Sequence, residues 1–239
     1  MFWVSFIAVF IVSAIGLPPP TYIKPCSISK DFEKCSLQVG KHALASFARG
    51  DKKYGIPPLD PFNFKLLEIN SGTLKITLTD IVAMGLSTAD FTGMKIIVPT
   101  KRVKMGLKLN HLSLTGQYEM NGKILVLPIQ GKGPFQLHFY NGTYEYSYDL
   151  KQEVRDKITY AEIANDDLEI DIKSAKINFE NLFNGDKVLG DETNRFLNEN
   201  FEEVFKDLDQ ALKQSISSVC RLVLQNFFKR IPYKDLFLE

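Results

Sequence analysis

The sequence is poor in the groups that carry out chemistry. It has three histidines, His42, His111 and His138, and three cysteines, Cys26, Cys35 and Cys220. No HExxH, CxxC or acidic calcium loop occurs, so no metal site is predicted. A G-x-S-x-G nucleophile elbow is also missing. Gly131-Lys132-Gly133 is too short to cradle a phosphate, and Pro134 removes the next amide donor. The adjacent carboxylates Asp166-Asp167 and Glu202-Glu203 point different ways and read as solvated surface charge. Taken together, these absences predict a protein that is not an enzyme and has no cofactor. Charge of one sign is lacking as well: 29 basic and 28 acidic residues leave a net charge of +1. That gives no electrostatic case for a nucleic-acid partner or an anionic membrane surface.

Long apolar runs are absent except at the start. Phe2 to Ile15 is apolar and is followed by Gly16 and Leu17-Pro18-Pro19-Pro20. The run is too short to span a bilayer comfortably and suits the apolar region of a signal peptide. Ala14 and Gly16 are the small residues such a cleavage site needs, so we place the cut after Gly16 and read residues 17–239 as one domain. The alternative is an uncleaved anchor. Cleavage predicts a secreted, extracellular protein with no stable membrane insertion, and secretion permits disulfides. Cys26 and Cys35 lie close together and we pair them, although spacing does not decide against a bond from either to Cys220. Cys220 is read as a buried, unreactive thiol.

Proline and glycine are missing from Asp191 to Lys229. Leu197, Phe201, Val204, Phe205, Leu208, Leu212, Ile216, Val219, Val223 and Phe227 recur there in steps of three and four, the apolar face of an α-helix. One unbroken helix would span roughly 55–60 Å. From Val219 to Phe228 it is apolar nearly all round, which predicts a sheathed distal part. A short N-terminal helix is predicted from an N-cap at Ser29 to Gly50, carrying Phe32, Val39, Ala43 and Phe47.

Between Phe64 and Leu182 the period is two. Leu74, Ile76 and Leu78 alternate with polar residues, as do Val103, Met105, Leu107 and Leu109. The phase slips before Leu112 and Leu114, which predicts a β-bulge near Asn110-His111. A second slip separates Leu168, Ile170 and Ile172 from Ala175, Ile177 and Phe179, and repeated slips predict a strongly curved sheet. Asn141-Gly142 reads as a type I′ hairpin turn. It would pair Phe139 with Tyr144, Leu137 with Tyr146 and Phe135 with Tyr148, all six on one face, with His138 exposed on the other. Asn141 also heads a glycosylation sequon, Asn141-Gly142-Thr143. Asn121-Gly122 begins a further hairpin, and Asn184-Gly185 turns the chain toward the long helix.

The fold class is therefore α+β: a long C-terminal helix wrapped by a strongly curved antiparallel sheet. Such a wrap is hard to fill at native density and predicts an elongated apolar cavity. Burying ~400 Å² of an apolar ligand there would yield roughly 10 kcal/mol before entropy costs. The predicted partner is a small lipophilic ligand, held without covalent bonds. The candidate lining is Met105, Leu107, Leu109, Phe135, Leu137, Phe139, Tyr144, Tyr146, Phe201, Phe205, Leu208 and Leu212. The competing reading is a surface module with a fully packed core that docks on a membrane or receptor.

Five segments in order resemble the insect takeout and haemolymph juvenile-hormone-binding protein family. They are Ile23-Lys24-Pro25-Cys26 with Cys35, then Tyr54 to Phe62 and Tyr118 to Gly133, then Asn181 to Leu208 and Ile231 to Phe237. The resemblance covers essentially the whole chain after Gly16. It implies a tubular lipid-binding fold, a buried hydrophobic ligand and no enzymatic activity. The family's hormone carriers have a second disulfide, whereas Cys220 has no evident partner, which favours the takeout branch over a carrier of juvenile hormone itself.

Overall fold

The structure, a computed structural model, describes residues 16–238. The apolar run Phe2 to Ile15, read above as a signal peptide, lies outside the described residues. The elements in order are β1 (Cys26–Ser27), α1 (Phe32–Arg49), β2 (Phe62–Asn70), β3 (Leu74–Met84), β4 (Asp90–Ile97), β5 (Arg102–Ile124), β6 (Leu127–Arg155), β7 (Ile158–Phe179), α2 (Lys187–Glu199), α3 (Phe201–Phe228), α4 (Tyr233–Leu236) and β8 (Phe237–Leu238). The six-stranded antiparallel sheet runs β2-β3-β5-β6-β7, with β4 beside the first half of β5. Strands of 23, 29 and 22 residues at β5, β6 and β7 are long enough for their natural twist to curl the sheet into a half-barrel.

Asn141-Gly142 is not a turn. Both residues lie inside β6, which pairs with β5 on one side and β7 on the other. Phe139 therefore pairs with Leu112 and Ala175, and Tyr144 with Leu107 and Ile170, rather than with each other. The left-handed preference of Asn is still used, because Asn141 has φ 53°. It makes a crease instead of a reversal. The rung between Asn110 and Asn141 is missing, yet the pairs on either side, Leu109–Gly142 and His111–Tyr140, keep one register. The expected bulge at Asn110-His111 is thus a fault shared by neighbouring strands, with no slip of β5 against β6. Inward-facing residues change parity on β5, β6 and β7 along the same line, which explains both phase slips seen in the sequence.

Four other expectations change. Asn121 and Gly122 lie within β5, and the β5–β6 turn falls later, at Leu125-Val126, between the paired Ile124 and Leu127. The cap of α1 is Asp31, not Ser29. The long C-terminal helix is broken at Asn200, whose φ of −113° and ψ of 32° leave the helical region, giving helices of 13 and 28 residues. Its distal part is not sheathed on all sides, since Leu222 is 63% exposed. Asn184-Gly185 does turn the chain out of β7, with φ of 57° and 89°. The disulfide joins Cys26 to Cys35. Closing that loop contributes about 2–3 kcal/mol on the chain-entropy model.

Side-chain amides seal parts of the exposed edge of β7. Asn198 accepts from the Ile177 N–H at 2.8 Å and donates to the Ile177 carbonyl at 2.7 Å. Asn194 makes the same pair of bonds to Phe179, both at 2.9 Å. At the other end Gln225 accepts from the Ile163 N–H at 2.8 Å and donates to the Ala161 carbonyl at 3.2 Å. Each amide replaces a missing strand and blunts an edge that would otherwise recruit one. Asn198→Ala leaves both Ile177 groups without partners. The expected loss is about 2–3 kcal/mol, read as a lower urea midpoint at unchanged slope.

Candidate functional site

The crease divides the apolar interior into two packed ends. One end contains Leu74, Tyr118, Phe135, Leu182, Leu197, Phe201 and Leu208. The other contains Val103, Tyr146, Tyr148, Ala161, Phe227, Phe228 and Ile231. Each fully buried Leu or Phe in these clusters stabilises the fold by about 1.5–3 kcal/mol. Between them runs a belt of apolar side chains that remain only half-buried: Leu107, Leu112 and Leu114 on β5, Leu137, Phe139 and Tyr144 on β6, and Ile170, Ile172 and Ala175 on β7. From α3, Phe205, Leu212, Ile216 and Val219 are half-buried in the same way. Cross-strand rungs assemble the belt: Leu107–Tyr144–Ile170 and Leu112–Phe139–Ala175 flank the crease, and Leu114–Leu137–Ile177 follows.

Half-burial on the inner face is the informative observation. Apolar side chains that close-pack in a core lose nearly all their accessible surface, as Val103 and Tyr148 do here. Of the residues singled out in the sequence, Leu107, Leu137, Phe139, Tyr144, Phe205 and Leu212 fall in the belt, with half-buried Met105 next to it. Leu109, Phe135, Tyr146, Phe201 and Leu208 are buried. The candidate set from the sequence leaves out Leu112, Leu114, Ile170, Ile172, Ala175, Ile216 and Val219, which also fall in the belt. All seven were visible as members of the alternating or helical stripes. What hid them was the crease, because the false Asn141 turn folded β6 back on itself and left β7 without a place beside it.

Two tyrosines on β6 differ in their polar ends. The Tyr144 hydroxyl is buried and has no hydrogen-bond partner, and burial pushes its pKa up to about 12. Its ring lies over Gly142, where a Cβ would come within 2.7 Å of ring carbon Cε2. A side chain at that position would therefore displace the ring. The Tyr146 hydroxyl, in contrast, donates to Asp166 Oδ2 at 3.0 Å. Asp166 is not the solvated surface charge expected from the sequence: its side chain is only 1% exposed, accepts from Ser217 Oγ at 2.6 Å and forms an ion pair with Arg221. Burial alone would raise its pKa, but hydrogen bonds from Ser217, Arg221 and Tyr146 outweigh it and hold the carboxyl below the usual range. Cys220 is free, and burial pushes its thiol up to about 12, far from a reactive thiolate. His138 is half-exposed, with Nδ1 3.1 Å from His111 Nε2 on the outer face beside the crease. Among the described residues no cluster of three or more metal-ligating side chains occurs, and no helix is long and apolar enough to cross a membrane.

Comparison with known proteins agrees with this architecture. The family model described as haemolymph juvenile hormone binding protein matches residues 5–238. The circadian clock-controlled protein daywake of Drosophila melanogaster is 24% identical over 246 residues, covering 98% of this chain and 93% of that protein. Daywake of Drosophila yakuba is also 24% identical, with 93% and 88% covered. The crystal structure of Takeout 1 from Epiphyas postvittana superposes with a TM-score of 0.79 at 22% identity. That superposition covers 91% of this chain and all of the Takeout 1 chain, so the two share a fold.

Proposed function

Because the chain belongs to the haemolymph juvenile hormone binding protein family, we propose that it is a secreted carrier that holds one small hydrophobic ligand along the inner face of the half-barrel, without covalent chemistry. The observation that carries this reading is the half-buried belt between two fully packed ends. An elongated lipophile, such as a terpenoid or a fatty acid, matches a belt of Leu, Ile and Phe that runs between β5–β7 and α3. Reversible binding needs only that the buried area outweigh the ordering cost. Asn141 is exposed on the outer face, where a glycan would leave the interior untouched. Native mass spectrometry of the protein secreted from insect cells, followed by solvent extraction, tests the proposal. A co-purifying lipophile is the expected result, and a ligand-free protein that takes up no lipophile from a panel would refute it.

The Tyr144 hydroxyl is the polar group best placed to orient such a ligand. An unpartnered buried hydroxyl is costly until a ligand acceptor meets it. Tyr144→Phe should therefore weaken binding of an ester, epoxide or carboxylic acid by about 0.5–1.5 kcal/mol, roughly threefold to tenfold, and leave a plain hydrocarbon unaffected. The empty protein should become slightly more stable. Isothermal titration with matched ligand pairs, alongside calorimetric unfolding, reads both effects.

A further inference from the structure

The carrier reading leaves open how a ligand reaches a belt whose two ends are closed by packed clusters. Neighbouring strands of the sheet from β2 to β7 are hydrogen-bonded to one another, so passage between strands would break backbone bonds. The border of α3 with β2 is closed: Leu67 and Ile69 are buried in one cluster with Val204, Leu208 and Ala211, and Ser215 Oγ donates to the Glu68 carbonyl at 2.6 Å. The border of α3 with β7 is different. At one end it is bounded by α2, whose Asn194 and Asn198 hold Phe179 and Ile177 of β7 just before the break at Asn200. It is pinned at the other by Ser217 and Arg221 on Asp166 and by Gln225 on Ile163.

From Asn198 to Ser217 the helix side of this border runs roughly 28 Å. Among the described residues, the one polar link across that stretch is Lys213 Nζ to Glu169 Oε2, at 2.7 Å. Asp209 holds the same ammonium from within α3, at 2.9 Å. The Glu169 side chain is 64% exposed and that of Lys213 19%, and a pair open to solvent on one side contributes little to stability. A cleft of about 420 Å³ lies along the same stretch, lined by Asp167, Glu169, Asp209, Lys213 and Ser217 among others. Belt residues Ile170 and Ile172 of β7 and Leu212 and Ile216 of α3 belong to the elements on its two banks.

Resting on the carrier reading, we propose that this stretch of the α3–β7 border is the portal for ligand entry and exit, with the Glu169–Lys213 pair as its latch. The pinned α2 and the pinned distal part of α3 keep the helices in place, and the stretch between them opens by parting one partly exposed ion pair and apolar contacts only. The cleft then marks where the ligand's polar end passes last.

The test is a reducible staple. Glu169→Cys and Lys213→Cys, in a Cys220→Ala background, are bridged by a short bis-methanethiosulfonate reagent. Uptake and release of the fluorescent fatty acid cis-parinaric acid are then followed by stopped flow. We expect the staple to slow both rates by at least about tenfold, with recovery on reduction, because gating controls exchange in both directions. Lys213→Met should speed both rates by about threefold with little change in affinity. Stapled protein that exchanges at the unstapled rate would overturn the portal while leaving the carrier reading intact. Protein that takes up no probe in any form would overturn both.

Discussion

Ala175→Trp is expected to abolish ligand binding while raising the melting temperature. Ala175 is half-buried on the inner face of β7, paired with Phe139 beside the crease. An indole there buries about 150–250 Å². In an open belt that area comes from space the ligand would occupy. Affinity should then fall at least about a hundredfold, or roughly 2.7 kcal/mol, and filling the space should stabilise the empty fold by about 0.5–2 kcal/mol. If the interior were already solid, the same substitution would overpack it and cost about 1–3 kcal/mol. The direction of the temperature shift therefore separates a carrier from a packed surface module, whatever the ligand. The sequence's single tryptophan is Trp3, so signal-peptide cleavage would leave the new indole as the sole tryptophan reporter. Its emission should be blue-shifted and insensitive to added lipophile.

Removal of the Asp166 carboxylate should give the largest loss of stability. The group is buried and receives Tyr146 from β6 and Ser217 and Arg221 from α3, so it ties helix to sheet. Asp166→Ala leaves the buried Tyr146 and Ser217 hydroxyls without their acceptor, at about 1–3 kcal/mol each, while the half-exposed Arg221 is met by solvent. The same carboxylate sets an acid limit. Its pKa in the fold lies below the value of about 3.9 for an unfolded aspartate. Its contribution is therefore complete above that value and is lost as pH falls through the lower folded pKa. Urea midpoints of the wild type should decline below about pH 4. Asp166→Asn should be weaker at neutral pH and decline less steeply in acid. A residual slope should remain from Asp149, which Asn165 and Arg102 also hold low. Equal acid slopes in the two proteins would show that Asp166 is not tied as described.

Local signals were read well where only one structural outcome is compatible with them. Alternation over Val103 to Leu109 and over Leu168 to Ile172 means strand, and each set does face inward. The stripe from Phe201 to Phe227 means helix, and α3 carries it along its length. Close spacing favoured pairing Cys26 with Cys35 and left Cys220 open as an alternative; the fold contains the first pair. Asn-Gly dipeptides were read less well, because a left-handed residue serves both a hairpin turn and a mid-strand crease. Asn141 makes the crease, since β5 and β7 already flank β6 on both sides. Asn200 breaks the long helix although nothing in its neighbourhood, neither Pro nor Gly, announces a stop.

The amino-acid sequence by itself determined the family, the α+β class and the apolar face of every long element, because each of these follows from residue type and spacing along the chain. Only the tertiary structure decided that the phase slips align into one crease, that Asn194, Asn198 and Gln225 stand in for a missing strand, and that Tyr144 is left without a partner where Tyr146 finds Asp166. These outcomes depend on which groups from distant parts of the chain meet. Hydrogen bonding at a strand edge and burial of a hydroxyl are properties of that meeting, and no window of neighbouring residues contains it.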